Sequence, residues 1–290
     1  MSSTAPFLLS PHLAERVWGG DRFGVGIGEA WDLSVHPNGH SVVASGPHRG
    51  RSLAEVVAER PADFGGPIEL LAKRLDCAAT LSVQVHPRTG DPKTEAWVVL
   101  GAEPGAGVYL GFADAPDPDA VRSAANDGSL ADLLAFRELA VGDAVLVPAG
   151  TVHAIGGGLT LFELQQSSDT TYRLFDWGRS GRELHLDEAL GCAVLAPAPE
   201  PQAPVVLADG VIRLIECPYF SIEWVDAPGP VTVAPGHRWS ALHVVSGTAR
   251  ARELTVSDGD TLMVPASAGP IDLEPDAGFA ALRYGPPAPG

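Results

Sequence analysis

The sequence predicts a mainly β protein built as two domains, and three observations carry that expectation. Short runs rich in Val, Leu and Thr are separated by turn residues, with 33 glycines and 26 prolines scattered through the chain without a repeat. Charged residues make up 19% and the apolar set 45% of the sequence, a balance that folds throughout and is neither disordered nor coiled coil. The 290 residues set a prior of about two compact units. The stretch Ala196 to Pro204, with alternating proline, prevents both helix and central strand and divides the chain near residue 200.

Taken in order, residues 1–50 read as turns and short strands, with Glu29 to Val35 alternating as a half-buried strand does. Ser52 followed by Glu55 is a capping-box signature for a helix to about Arg60. Pro67 to Arg74 shows helical spacing at Ile68, Leu71 and Leu75, so two short helices are expected across 52–74. Leu81 to His86 and Glu95 to Leu100 follow as strands, separated by a polar loop. Asp117-Pro118 and Ser129 look like helix starts and give a small helical insert across 117–135. Strands resume at Ala144–Val147, Ala154–Ile155, Thr160–Gln165 and Thr171–Phe175, and a last helix is expected from about Asp187 to Val194. The expected organisation is a catalytic domain over 1–197, a linker over 198–204 and a second β domain over 205–290.

The formal net charge of −17 repels nucleic acid and anionic membrane surfaces, so neither is an expected partner. An anionic small molecule would need basic residues gathered locally. Cys77, Cys192 and Cys217 are odd in number, far apart and outside any C-x-x-C spacing, which argues against a disulfide framework or a cysteine metal site. The N-terminal residues carry no basic group ahead of their short apolar run, and no 18-residue apolar stretch occurs; a cytoplasmic protein, monomeric or homodimeric, is expected.

Gly142-Asp143 through Pro148, Gly150 and His153 resembles the second cupin motif, in which glycine turns set a strand so that its histidine points inward. The pattern alone leaves a structural histidine equally open. In Leu81-Ser-Val-Gln-Val-His86, Ser82, Gln84 and His86 share one face of a strand and Leu81, Val83 and Val85 the other. Such a polar face is either solvent-exposed or satisfied by a ligand inside the protein. Glu95 opens an otherwise apolar strand, where it is either a solvent-facing end residue or a buried ligand. Taken with His86, His153 and the Gln84 amide oxygen, it completes a mixed N/O donor set suited to Zn²⁺ with positions open for substrate or water.

These residues also resemble a family. Leu-Ser-Val-Gln-Val-His-Pro at 81–87, Lys-Thr-Glu-Ala-Trp at 93–97 and the run from Val147 to Arg179 are similar to class I mannose-6-phosphate isomerases in their short bacterial form, with further likeness at Glu29-Ala-Trp31 and His36-Pro37. The resemblance implies two cupin-type (jelly-roll) β-barrels and one Zn²⁺ per chain, held by Gln84, His86, Glu95 and His153. It also implies a sugar-phosphate substrate, with Arg173 the active-site arginine and Arg179, six positions on, at the substrate phosphate together with Lys93. Aldose–ketose isomerisation moves a proton between C1 and C2 while charge develops on oxygen. A metal and Arg173 supply charge stabilisation, Lys93 or Asp169 the acid/base, and Ser82 a hydroxyl donor to phosphate.

The second domain repeats the rhythm without the chemistry. Gly259-Asp260 and Pro265 recur at the same spacing, but Ala266, Ser267 and Ala268 follow where a histidine would stand, and His243 is isolated. A degenerate, metal-free partner is expected. Two alternative readings are an iron-dependent cupin oxygenase and a sugar-phosphate-binding cupin without turnover.

Overall fold

The computed structural model describes residues 4–235 and 237–287, so residues 1–3 and 288–290, the outer ends of the two expected domains, lie outside the described residues. The chain is mainly β, and its described strands lie in four sheets of eight, six, five and four strands. They belong to two compact units, Leu13–Ala30 with Lys73–Pro201, and Met1–His12 with Trp31–Ala72 and Gln202–Gly290. The segments 1–12 and 31–72 thus cluster with the C-terminal residues rather than within a continuous 1–197 domain. The physical reason is strand pairing over a long sequence separation: Phe7–Ser10 joins the eight-stranded sheet by lying antiparallel to Thr261–Val264, Phe7 opposite Met263 and Leu9 opposite Thr261.

In that second unit the eight- and four-stranded sheets share a core that includes Val233, Leu242, Leu262, Ile271 and Leu273. The helix α1 (Leu53–Glu59) has the expected capping box: Ser52 accepts from Glu55 N, and the Glu55 carboxylate accepts from Ser52 N. The expected helix over Pro67–Arg74 is instead a strand. Leu70–Cys77 is buried almost without interruption, and a segment covered on both faces carries no period that distinguishes strand from helix.

The first unit carries the motifs. A six-stranded sheet, most of whose residues belong to it, contains β1 (His12–Glu15), β2 (Ile27–Leu33), β3 (Leu70–Cys77), β5 (Glu95–Ala102), β8 (Ala144–Val147) and β10 (Leu159–Gln166), in the order β8-β5-β10-β3-β2-β1. Its five-stranded sheet runs β11-β4-β9-β6-β7 and contains β4 (Val83–Val85), β6 (Gly107–Phe112), β7 (Leu134–Glu138), β9 (His153–Ile155) and β11 (Tyr172–Phe175). Leu75, Trp97, Val145 and Leu161 from the first sheet meet Val108, Leu110 and Ile155 from the second in one core. The opposite face of the five-stranded sheet is covered by helices: Val83, Val85, Ala154 and Leu174 pack with Val121, Ala124 and Ala125 of α2 (Pro118–Asp127) and Ala189 of α3 (Leu186–Cys192). Asp117 caps α2 as expected, accepting from Ala120 N. The insert therefore backs the strands that carry Gln84 and His153.

Leu161 has no solvent exposure and lies between the two sheets. Leu161→Ala is predicted to lower the unfolding free energy of this unit by about 2–5 kcal/mol, the range for emptying a packed leucine site. Urea unfolding checks it, and an unchanged midpoint would show that the side chain is not part of this core.

Candidate metal centre and its cavity

Along several strands the inward-facing row changes from apolar to polar toward one end of the interior. On β10 the alternate positions are Leu159, Leu161, Glu163 and Gln165, and on β5 they are Val99, Trp97 and Glu95. Antiparallel register sets Val99 opposite Leu161, Trp97 opposite Glu163 and Glu95 opposite Gln165. On β3 Lys73 precedes Leu75 and Cys77 on the same face. In the five-stranded sheet Arg173, Gln84 and His153 fall in one cross-strand row.

The polar ends meet at three buried groups. His86, Glu95 and His153 each expose 1% or less, and their ligand-capable atoms lie within 4.8 Å of one another. His86 Nε2 is 3.2 Å from Glu95 Oε2, and His153 Nε2 is 3.3 Å from Glu95 Oε1. The second nitrogen of each ring faces a backbone carbonyl: His86 Nδ1 is 3.0 Å from Thr170 O and His153 Nδ1 is 2.9 Å from Thr151 O. A carbonyl only accepts, so these bonds assign the proton to Nδ1 and leave the Nε2 lone pairs aimed at the carboxylate. Burial pushes both rings below their ordinary values, His86 to about 4, with the Lys93 charge adding to the effect on both. Burial opposes ionisation of Glu95 too, but the Lys93 charge beside it holds the carboxyl well below its usual range.

Neutral imidazoles facing an ionised carboxylate place lone pair against lone pair, an arrangement that a cation between them resolves. Lys93 meets part of that demand, with Nζ 2.7 Å from Glu95 Oε2 and 3.1 Å from His86 Nε2. Glu95 Oε2 nevertheless accepts no bond of sound hydrogen-bond geometry. Two Nε2 atoms and a carboxylate with buried second-ring partners already in place fit a divalent metal. Gln84 is adjacent but presents Nε2, 3.3 Å from His153 Nε2, while its Oε1 accepts from Ser82 Oγ at 3.2 Å. Rotation of the amide by half a turn exchanges the two atoms and brings a fourth donor to the same place.

A cavity of about 290 Å³ adjoins this cluster. Of the residues expected at the site, Ser82, Gln84, Lys93, Asp169 and Arg173 line it. Arg173 is held in place by Nε to Ser82 Oγ at 3.3 Å and Nη1 to Glu183 O at 2.8 Å. Burial and the nearby Arg182 charge lower its pKa from the ordinary guanidinium value. Arg179 is not among the lining residues. Its guanidinium turns instead to Asp176 Oδ1, 2.6 Å from Nη2, and Thr80 O, 2.8 Å from Nη1.

Five charged groups on the cavity wall, Arg16, Glu29, Lys73, Glu163 and Arg182, escaped the sequence reading. Lys73, 4% exposed, lies 3.8 Å from Glu29 and 3.4 Å from Glu163; burial favours its neutral form, but these carboxylates, with Asp169 and Glu95, hold it protonated. Glu163 also accepts from Trp97 Nε1 at 3.1 Å, and Glu29 from Arg16 at 2.9 Å. Lys73 and Glu163 each interrupt an apolar run, which is a usable signal because charges are rarely buried unpaired. Arg182 stands in a polar turn and gives none.

Two facing sheets with a cation site in the interior define the general class, a β-sheet protein of the metal-holding cupin kind. Comparison with known proteins narrows it. Residues 24–104 match the phosphomannose isomerase type I catalytic domain. A mannose-6-phosphate isomerase of Streptococcus mutans is 32% identical over 90% of this chain and 92% of its own, and ManA of Bacillus subtilis is 32% identical over 94% and 96%. The crystal structure of mannose 6-phosphate isomerase from Bacillus subtilis superposes with a TM-score of 0.87 at 28% identity, covering 97% of this chain and all of that one. The chain belongs to the type I mannose-6-phosphate isomerase family.

In the other unit His243 is buried, with Nδ1 3.1 Å from Thr261 Oγ1 and 3.8 Å from Asp32. Among the described residues the only group of three or more metal-capable side chains is His86, Glu95 and His153. His153→Ala is predicted to strip bound metal from the purified protein, and His243→Ala to leave it in place, as measured by elemental analysis. Full metal content in the first variant, or its loss in the second, would sink the assignment.

Proposed function

We propose that this chain is a mannose-6-phosphate isomerase that reversibly converts mannose 6-phosphate to fructose 6-phosphate. It uses one Zn²⁺ per chain, held by His86, Glu95, His153 and the reoriented Gln84 amide. The observation that supports this most strongly is the convergence of two imidazole lone pairs and one carboxylate beside a cavity lined with both cationic and anionic side chains. The N/O donor set with three protein ligands and an amide suits zinc while leaving room for a substrate oxygen. Bound there, a metal would supply Lewis acidity toward a substrate oxygen.

The remaining work falls to the chain's own groups. Isomerisation through an enediol(ate) needs a carboxylate or amine to carry the proton between C1 and C2. Lys93 and Asp169 both line the cavity and are the two groups placed to carry it. Arg173, already fixed by Ser82 and the Glu183 carbonyl, costs little to reorganise when negative charge gathers on the substrate oxygen. The other wall groups, Lys73, Glu29 and Glu163, offer donors and acceptors for sugar hydroxyls.

A coupled assay for fructose 6-phosphate tests this directly. Turnover is expected to vanish on chelation and to return with Zn²⁺; turnover that persists in metal-free protein would overturn the metal's role. Arg173→Ala is predicted to lower kcat by about 10²–10³-fold, the usual loss for one oxyanion stabiliser, with Arg173→Lys recovering part of it. A change confined to KM would remove Arg173 from the chemical step.

A further inference from the structure

The chain is strongly acidic, yet behind one corner of the cavity a single carboxylate holds two guanidinium groups, with a third close by. Asp176 is 3% exposed and serves two of them at once. Arg182 grips it as a fork, Nε to Oδ2 at 2.8 Å and Nη2 to Oδ1, while Arg179 bonds Oδ1 from the other side. Arg173 stands near enough to Arg182 for the two charges to repel. One aspartate neutralises one guanidinium, so the corner keeps a positive surplus that suits a dianion.

The three arginines are not equivalent. Arg179 spends its Nη1 on the Thr80 carbonyl and does not reach the cavity wall. Arg182 lines the cavity, and its Nη1 has no acceptor among the described residues. A guanidinium whose other edge is locked on a buried carboxylate is oriented before a ligand arrives, so little side-chain entropy is lost on binding. We propose that Arg182 binds the phosphate of the sugar phosphate, and that Asp176 is the positioning residue that holds it there. This places the anion contact three residues beyond Arg179, the position expected from the family pattern. The inference rests on the isomerase reading for the identity of the ligand, though not for the existence of an anion site.

The test uses metal-replete protein. Arg182→Gln is expected to raise KM for mannose 6-phosphate by about tenfold or more, the loss typical of one hydrogen bond to a charged group, and to change kcat less. It should weaken inorganic phosphate binding, followed by calorimetry without turnover, by a similar factor. Asp176→Asn should shift both quantities in the same direction at unchanged metal content. Arg182→Lys, which keeps the charge and loses the fork, should recover part of the affinity and guards against a folding defect in the first variant. Arg179→Gln should have the smaller effect on both. A wild-type protein that binds phosphate through Arg182 but does not isomerise would support the anion site and refute the isomerase reading. If Arg179→Gln raised KM and weakened phosphate binding while Arg182→Gln changed neither, the proposal would be overturned.

Discussion

Two imidazole lone pairs and an ionised carboxylate occupy a place from which solvent is almost excluded, and much of the first unit is arranged around that fact. His86 and His153 are fixed in tautomer by carbonyls behind them, and Glu95 is kept charged by Lys93 beside it. Such a cluster is unfavourable without a positive centre, because burial removes the water that would otherwise screen it. Its energetic cost is met by the surrounding core: alternate residues on the same strands are leucine, valine and tryptophan packed between the sheets. The strands therefore act as rulers. Moving one by a single residue would turn its own ligands outward and its own core side chains to the wrong face.

Beyond the metal cluster, the cavity wall is charged on both sides but not uniformly. Lys73 lies among Glu29, Glu163 and Asp169, a set in which carboxylates outnumber the ammonium and can accept from hydroxyl groups, whereas Arg173 and Arg182 share the Asp176 corner, where positive charge is in surplus. This division gives a polar ligand with one anionic end a defined direction in the site. It also resolves the apparent conflict between an acidic chain and an anionic substrate. Net charge governs long-range encounter, while a few arginines oriented by buried partners govern the contact itself.

The mainly β class, the helical insert and the grouping of His86, Glu95 and His153 were legible from local pattern, whereas Arg173 and Lys93 were marked only by the family resemblance. Ser82, Gln84 and His86 could be placed on one face by period two, and the Asp117 and Ser52 caps by their residue types. The segment Leu70–Cys77 was not legible as a strand, because burial on both faces removes the alternation on which the reading depends. Membership of the N-terminal strand in the sheet with Thr261–Val264 was equally hidden, since its partner lies some 250 residues away. Lys73 and Glu163 acquire their meaning only when separate strands meet. The distinction between Arg179 and Arg182 is finer still: both are arginines in one turn, and only the direction of each guanidinium separates the one on the cavity wall from the one behind it.

The His86–Glu95–His153 cluster requires a cation. Anomalous diffraction at the metal edge, from crystals of the protein as purified, tests it most directly. The account predicts one strong peak per chain, bonded to both Nε2 atoms and to Glu95, with the Gln84 oxygen turned toward it and Lys93 moved off the His86 lone pair. A peak at another site in this chain, or a cluster in which Lys93 keeps its contacts with His86 and Glu95 while the enzyme is fully active, would contradict it.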